Sequence, residues 1–366
     1  MPAPNHNDFS PKHQRLKDYL LHMMQTGAIA PGEQLPSENL LAEQHQVSRH
    51  TVRQALGALE NEGWICREQG RGTFCANPAD RSAGRKIAVM TTYISDYIFP
   101  GIIRGIEEVL SASGYTLILT NTHNDLIKEA QCLEKLLSQG INGLIIEPTR
   151  SAIPNPNLTY YRRLEERHLP YLLIHAVYPD LDPAYIIMDD VKGGYLATQY
   201  LLQLGHRRIA GIFKQDDLQG LNRKRGFTQA LSEYGITVEP ALAGNFQTEQ
   251  LSSYPFSFTQ RLLQSPDPPT AIVCYNDQVA LKVLEATRMI GLKVPEDISL
   301  IGYDDSSLAV ATEVKLTTVR HPQVEMGRQA SRLLIEMLER QVDRPHFIYP
   351  PELIIRDSCR SLPHSG

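Results

Sequence analysis

From residue 86 to the C-terminus, short runs of consecutive branched apolar residues recur, with amphipathic stretches between most of them. The runs are Ile87–Thr91, Thr116–Thr120, Gly143–Glu147, Tyr171–Val177, Tyr185–Met188, Ile209–Phe213, Ala271–Tyr275, Ile298–Tyr303 and Phe347–Arg356. A strand with one solvated face alternates apolar and polar side chains, whereas an unbroken apolar strand must be covered on both faces. The pattern predicts parallel sheets flanked by helices, an α/β fold. Residues 87–358 reach the size, ~250–300 residues, at which a single core stops growing, so two lobes are expected. Ligands of open parallel sheets sit beyond the strands' carboxyl ends, which makes the residues after each strand the candidates for a site.

Residues 12–62 have a different rhythm. Leu16, Tyr19, Leu20, Met23 and Met24 recur at helical spacing across Arg15–Gln25. A loop with Pro31-Gly32 and Pro36 follows. Ser37 then caps a short helix over about Glu38–Gln46, and a further helix runs over about Arg49–Asn61 to Gly63. Trp64–Arg67 and Thr73–Ala76 read as two strands around the turn Glu68-Gln69-Gly70-Arg71-Gly72. Helix, helix, turn, helix, hairpin is a winged helix-turn-helix order. The expected organisation is a winged domain over 1–75, a polar Pro/Gly linker over 76–86, a two-lobe domain over 87–358 and a tail over 359–366.

Charge and composition narrow the function. The chain carries 36 Lys+Arg against 41 Asp+Glu, and residues 1–86 hold 10 of the former and 9 of the latter, so any DNA contact depends on a few placed arginines. On the Arg49–Asn61 wheel, Val52, Ala55, Leu56 and Leu59 form the packing arc, and Arg49, His50, Arg53, Gln54 and Gly57 the adjacent one. Arginine near a helix N-terminus suits guanine O6 and N7 in the major groove. Ser48 and Thr51 can serve phosphates, and Arg71 tips a wing. Five scattered cysteines with no C-x-x-C pair predict neither disulfides nor structural zinc. The N-terminus lacks a signal-peptide pattern and no run is long enough to span a membrane, so a cytoplasmic protein with no membrane partner is expected.

No dinucleotide fingerprint, phosphate loop, nucleophile elbow or H-E-x-x-H motif is present, and neither catalytic residues, metal ligands nor a cofactor are expected. The strand ends carry Tyr97, Phe99, Glu147, His175, Asn276-Asp277 and Asp304-Asp305 instead. Carboxylates and amides can share hydrogen bonds with vicinal hydroxyls while an aromatic covers a sugar's apolar face. Each residue also has a plainer reading. Asp277 and Asp190 each fit a helix N-cap, Asp304 can merely close its turn, Glu147 can pair with an arginine, and His175 fits a core histidine equally well.

Two resemblances join these halves. Pro31-Gly32-x-x-Leu35-Pro36-Ser37-Glu38, Val47-Ser48-Arg49-x-Thr51-Val52-Arg53 and Gly70-x-Gly72-Thr73-Phe74 resemble the GntR-type winged helix. That resemblance implies that Glu38, Arg49, Thr51, Arg53, Gln69, Gly70 and Arg71 face DNA; Ser37, Ser48, His50, Gln54 and Gly72 complete the candidate contacts. Asn39 stands where many relatives carry Arg. Leu204-Gly205-His206-Arg207-Arg208-Ile209, Arg223-x-x-Gly226-Phe227 and Val294-Pro295-x-Asp297-Ile298-Ser299-Leu300-Ile301-Gly302-Tyr303-Asp304-Asp305 resemble the LacI/GalR repressors, whose sensor has the periplasmic sugar-binding fold. Carried over by position, Arg223, Asn276 and Asp304 form a polar clamp, His175 joins the pocket and Phe99 and Phe246 stack on the effector; Glu147 is added as a strand-end candidate. The fused arrangement is similar to that of arabinose-responsive repressors. It implies a homodimer on operator DNA that L-arabinose releases, with Gln323–Arg340 one candidate dimer surface. Another sugar, a purine, or an activator of the same build are the alternatives.

Overall fold

The computed structural model describes residues 11–68, 71–76 and 85–363. The chain packs as two compact units, one holding the described residues up to Ile87 with 110–118 and 140–142, the other the remainder.

In the first unit α1 (Lys12–Gln25), α2 (Glu38–Gln44) and α3 (Arg49–Asn61) precede a hairpin of β1 (Ile65–Glu68) and β2 (Gly72–Cys75). Leu16, Leu20 and Met24 of α1 meet Val52, Ala55, Leu56 and Leu59 of α3, with Leu35, Leu41, Ile65 and Cys75 closing the core. Helical spacing thus buries one stripe of each helix. Ser37 Oγ accepts from Leu40 N and Ser48 Oγ from Thr51 N, which start α2 and α3 where the sequence places them. Of the expected linker, residues 77–84 lie outside the described residues.

The rest alternates strand and helix. It begins with β3 (Lys86–Thr91), α4 (Phe99–Ala112), β4 (Thr116–Asn121), α5 (Leu126–Ser138), β5 (Gly143–Ile146), α6 (Leu158–Glu166), β6 (Tyr171–Ile174) and β7 (Ala184–Met188). It continues through α7 (Asp190–Gln203), β8 (Ile209–Lys214), α8 (Leu218–Glu233), β9 (Ala243–Phe246), α9 (Tyr254–Leu263) and β10 (Ala271–Cys274). After α10 (Asp277–Met289) come β11 (Ser299–Asp304), α11 (Ser307–Ala311), β12 (Thr317–Arg320), α12 (Gln323–Leu338), β13 (His346–Tyr349) and β14 (Glu352–Ile354). Two six-stranded sheets result, ordered β13-β7-β6-β5-β3-β4 and β14-β12-β11-β10-β8-β9. Ladders β13–β7–β6–β5 and β12–β11–β10–β8–β9 are parallel, and β14 runs antiparallel on β12. Every residue of β5, β6, β10 and β11 is buried, as unbroken apolar runs require.

The chain crosses between the two sheets after β7, after β12 and after β13. The last crossing corrects the expectation of one C-terminal strand over Phe347–Arg356. Pro350-Pro351 supplies no amide donor and splits it into β13 and β14, which belong to different sheets. β9 and β12 are further strands that short, Gly- and Thr-containing runs concealed. α12 packs on β5, β6 and β7 through Met326, Ala330, Leu333 and Leu334, so most of its apolar stripe is core. Residues past 358 are anchored, with Arg360 N donating to Ser299 Oγ and Leu362 N to Leu204 O.

α7 and α8 lie exceptionally close. A methyl group at Gly226 would overlap the Val191 carbonyl, and one at Gly194 the Arg223 carbonyl. Backbone, not side chain, fills these spaces. Gly226→Ala should force the helices apart at about 1–3 kcal/mol. In a two-lobe domain that is a loss of several degrees in melting temperature. Differential scanning calorimetry giving an unchanged melting temperature would contradict the close packing.

Candidate functional site

In the winged unit α3 separates two faces. Val52, Ala55, Leu56 and Leu59 are buried, while Arg49, His50, Arg53 and Gln54 are exposed. Arg53 Nε donates to Glu38 Oε2 at 2.8 Å, so Glu38 holds Arg53 in place. Ser48 Oγ accepts from Thr51 N at 3.1 Å and lies 2.9 Å from Thr51 Oγ1, which engages both hydroxyls in the cap. Arg71 pairs with Glu68 beside the wing turn, and Gln34 Nε2 donates to the Arg71 carbonyl at 2.8 Å. Gly72 has φ +124°, a backbone conformation glycine tolerates. Gln69 and Gly70 lie outside the described residues.

In the second unit a cavity of about 730 Å³ lies at the carboxyl ends of the strands. Its centre is Arg223 of α8, itself 5 % exposed. Arg223 Nε donates to Asp190 Oδ1 at 2.8 Å, Nη1 to the Tyr275 carbonyl at 2.7 Å and Nη2 to Asp304 Oδ1 at 3.3 Å. Its guanidinium carbon sits 3.5 Å from the Tyr303 ring centroid. Burial opposes the guanidinium charge, but Asp190 and Asp304 outweigh it and hold the pKa well above the usual value. Burial pushes Asp190 up to about 6 against the pull of Arg223.

Tyr97 brings the other lobe to this clamp, its hydroxyl donating to Asp304 Oδ2 at 2.8 Å and accepting from Asp277 N at 3.2 Å. Glu147 Oε2 accepts from Thr92 N at 2.7 Å and Thr92 Oγ1 at 2.6 Å, while Oε1 lies 2.9 Å from His175 Nδ1. His175 Nε2 is buried and unpartnered, and the residue lines the cavity. His321 lies 5.0 Å from His175 between ring centroids, and both of its ring nitrogens are unpartnered. Burial, then the charges of His175 and Arg223, hold it well below the ordinary histidine value, so it faces the cavity neutral. Phe99 packs edge-on to His175 at 6.2 Å. Tyr97, His175 and Asp304 all have positive φ, at +59°, +67° and +94°. Strain of this kind, about 1–3 kcal/mol per residue, persists where surrounding structure over-determines the conformation.

Expectation and structure part at several residues. Phe99, Glu147, His175, Arg223, Asn276 and Asp304 all line the cavity. Phe246 does not; it is fully buried in the core of its lobe against Tyr254 and Tyr275, because β9 ends with that side chain turned inward. The N-caps of α10 and α7 are Asn276 and Asp189, one residue before the expected Asp277 and Asp190. Both displaced aspartates are instead buried, and Asp277 accepts from Ser306 N, Ser306 Oγ and Thr318 Oγ1. Glu147 meets a histidine rather than an arginine. His321 was not anticipated, since β12 was not read as a strand; it stands directly after that strand, where a ligand-facing residue belongs.

Residues 12–75 match the model of bacterial regulatory proteins of the gntR family, and residues 198–359 that of the periplasmic binding protein-like domain. The arabinose metabolism transcriptional repressor of Geobacillus stearothermophilus is 48% identical over 358 residues, covering 96% of this chain and 98% of that one. The chain belongs to this family of transcriptional repressors. Among solved structures, a complex of the regulator CelR with cellobiose superposes with a TM-score of 0.67 and 26% identity over 88% of this chain and 100% of that one. A LacI family regulator from Enterococcus faecium with bound ribose gives 0.66 and 26%, over 76% of this chain and 100% of that one. The repressor therefore joins a GntR winged helix to a LacI-like two-lobe sensor.

Burial, then the charge of Asp304, pushes Asp277 up to about 7. The fold thus favours its protonated form. Its contribution to stability is complete below the ordinary aspartate range and disappears as pH rises through about 7. Asp277→Asn, which stays neutral, should flatten the fall in melting temperature between about pH 4 and 7. Identical slopes in the parent and the variant would refute this assignment.

Proposed function

We propose that the protein represses genes of L-arabinose use and leaves its operator when L-arabinose enters the cavity around Arg223. The observation that carries this reading is that cavity. A buried guanidinium held between two carboxylates, the imidazoles of His175 and His321 and an aromatic ring offer donors, acceptors and an apolar face to one small polyol. The relatives named for arabinose metabolism supply the sugar's identity. Arg49, His50, Arg53 and Gln54 read the major groove, Ser48 and Thr51 meet phosphates, and the Arg71 wing holds the flank. A two-fold homodimer matches a pseudo-palindromic operator with two half-sites. Such a DNA-bound regulator works in the cytoplasm and catalyses nothing.

Release by sugar requires that sugar favour the conformation with low operator affinity. By linkage, operator DNA then weakens sugar binding by the same factor, typically ~5–150-fold for a coupling of ~1–3 kcal/mol. Fluorescence anisotropy with promoter DNA from arabinose genes, titrated with L-arabinose, tests both halves; a sugar that leaves DNA affinity unchanged refutes the reading. Adenine and ribose serve as competing effectors in the same assay.

Two variants separate the sites. Arg49→Ala should weaken operator binding by roughly tenfold or more, as loss of a bidentate base contact does, with arabinose affinity intact. Asp304→Ala should leave a repressor that holds DNA and ignores arabinose, because it removes a partner of both Arg223 and Tyr97. Operator affinity should also fall with salt at about −0.9 in log–log slope for each neutralised phosphate, and a flat response excludes backbone contacts.

A further inference from the structure

The cavity is longer than the clamp. An aromatic wall runs along one lobe, from His175 to Phe99 at 6.2 Å and on to Tyr93 at 5.9 Å between ring centroids. Opposite it the clamp continues from Arg223 to Tyr275, whose hydroxyl donates to Asp217 Oδ2 at 2.7 Å, and then to Lys214, whose Nζ lies 3.0 Å from the same oxygen. Gln219 lines this far end, and its Oε1 is buried with no hydrogen-bond partner.

Size and charge identify what fits. At about 730 Å³ the cavity lies toward the upper part of the ~300–1,000 Å³ range of small-molecule sites, and two linked pentoses have about nineteen non-hydrogen atoms against about ten in one. Among the described residues, the far end carries no spare positive charge for an anion. Lys214 is neutralised by Asp217 and Asp216, and neighbouring Arg150 by Asp216 and Glu249. What remains are hydrogen-bonding groups in fixed positions and an aromatic face, the surroundings of a neutral sugar ring.

We propose that the sensor accepts a short arabinose-containing saccharide, one unit in the Arg223 clamp and a second between Tyr93 and the Lys214–Asp217–Gln219 end. This extension rests on the sugar-sensing reading above. The effector class then includes short products of polysaccharide breakdown as well as the free pentose.

Isothermal titration calorimetry of the full chain with L-arabinose, and with a disaccharide of two L-arabinose units, tests it. Both sugars should bind. Gln219→Leu and Tyr93→Leu should each weaken the disaccharide by about tenfold, while arabinose affinity and the melting temperature without sugar stay near those of the parent. Loss of both sugars together in these variants, or arabinose binding without the disaccharide, overturns the extension and leaves the arabinose reading standing. Failure of both sugars to bind the parent protein overturns both.

Discussion

A guanidinium buried without partners would be intolerable, and the sensor is arranged around avoiding that cost. Arg223 reaches Asp190, Asp304 and the Tyr275 carbonyl, groups that begin α7, end β11 and follow β10. Removing one partner of such a buried pair leaves uncompensated charge worth about 3–5 kcal/mol. The strand ends and the α7–α8 contact must therefore be in place together. The same demand makes the clamp rigid before any ligand arrives, which is what selective recognition of hydroxyl groups needs.

The cavity's other walls bring further groups to this fixed point. Tyr97 and His175 come from the lobe of the first sheet, and His321 from the crossover after β12. Each faces Arg223 or its aspartates across the cavity. A ligand that bonds to both walls ties the lobes together, so its binding energy depends on their separation. That dependence is the physical requirement for a sensor, because only differential affinity for two states shifts an equilibrium.

The winged unit solves a different problem with few charges. Its net balance is close to neutral, and Arg49 and Arg53 stand on the exposed edge of α3. Glu38 holds Arg53, which orders a long side chain in advance, while Arg49 extends from the first turn of the helix. Placement replaces bulk charge, which favours discrimination between sequences over general attraction to DNA.

Local patterns settled the fold class. Apolar periodicity in 12–62, caps at Ser37 and Ser48, and unbroken Val/Ile/Leu runs from residue 86 correctly announced a winged helix ahead of doubly covered parallel sheets, since each is a property of neighbours along the chain. The site was partly legible because strand ends point to it, which found Glu147, His175 and Asp304. What only the tertiary structure decided was which polar groups meet. Asp190 looked like a cap and became the partner of Arg223; Phe246 looked like a stacking ring and became core; His321 stood unnoticed behind a four-residue strand. Pairing across the cavity joins residues more than eighty positions apart, and the register of two sheets, rather than any local preference, sets those distances.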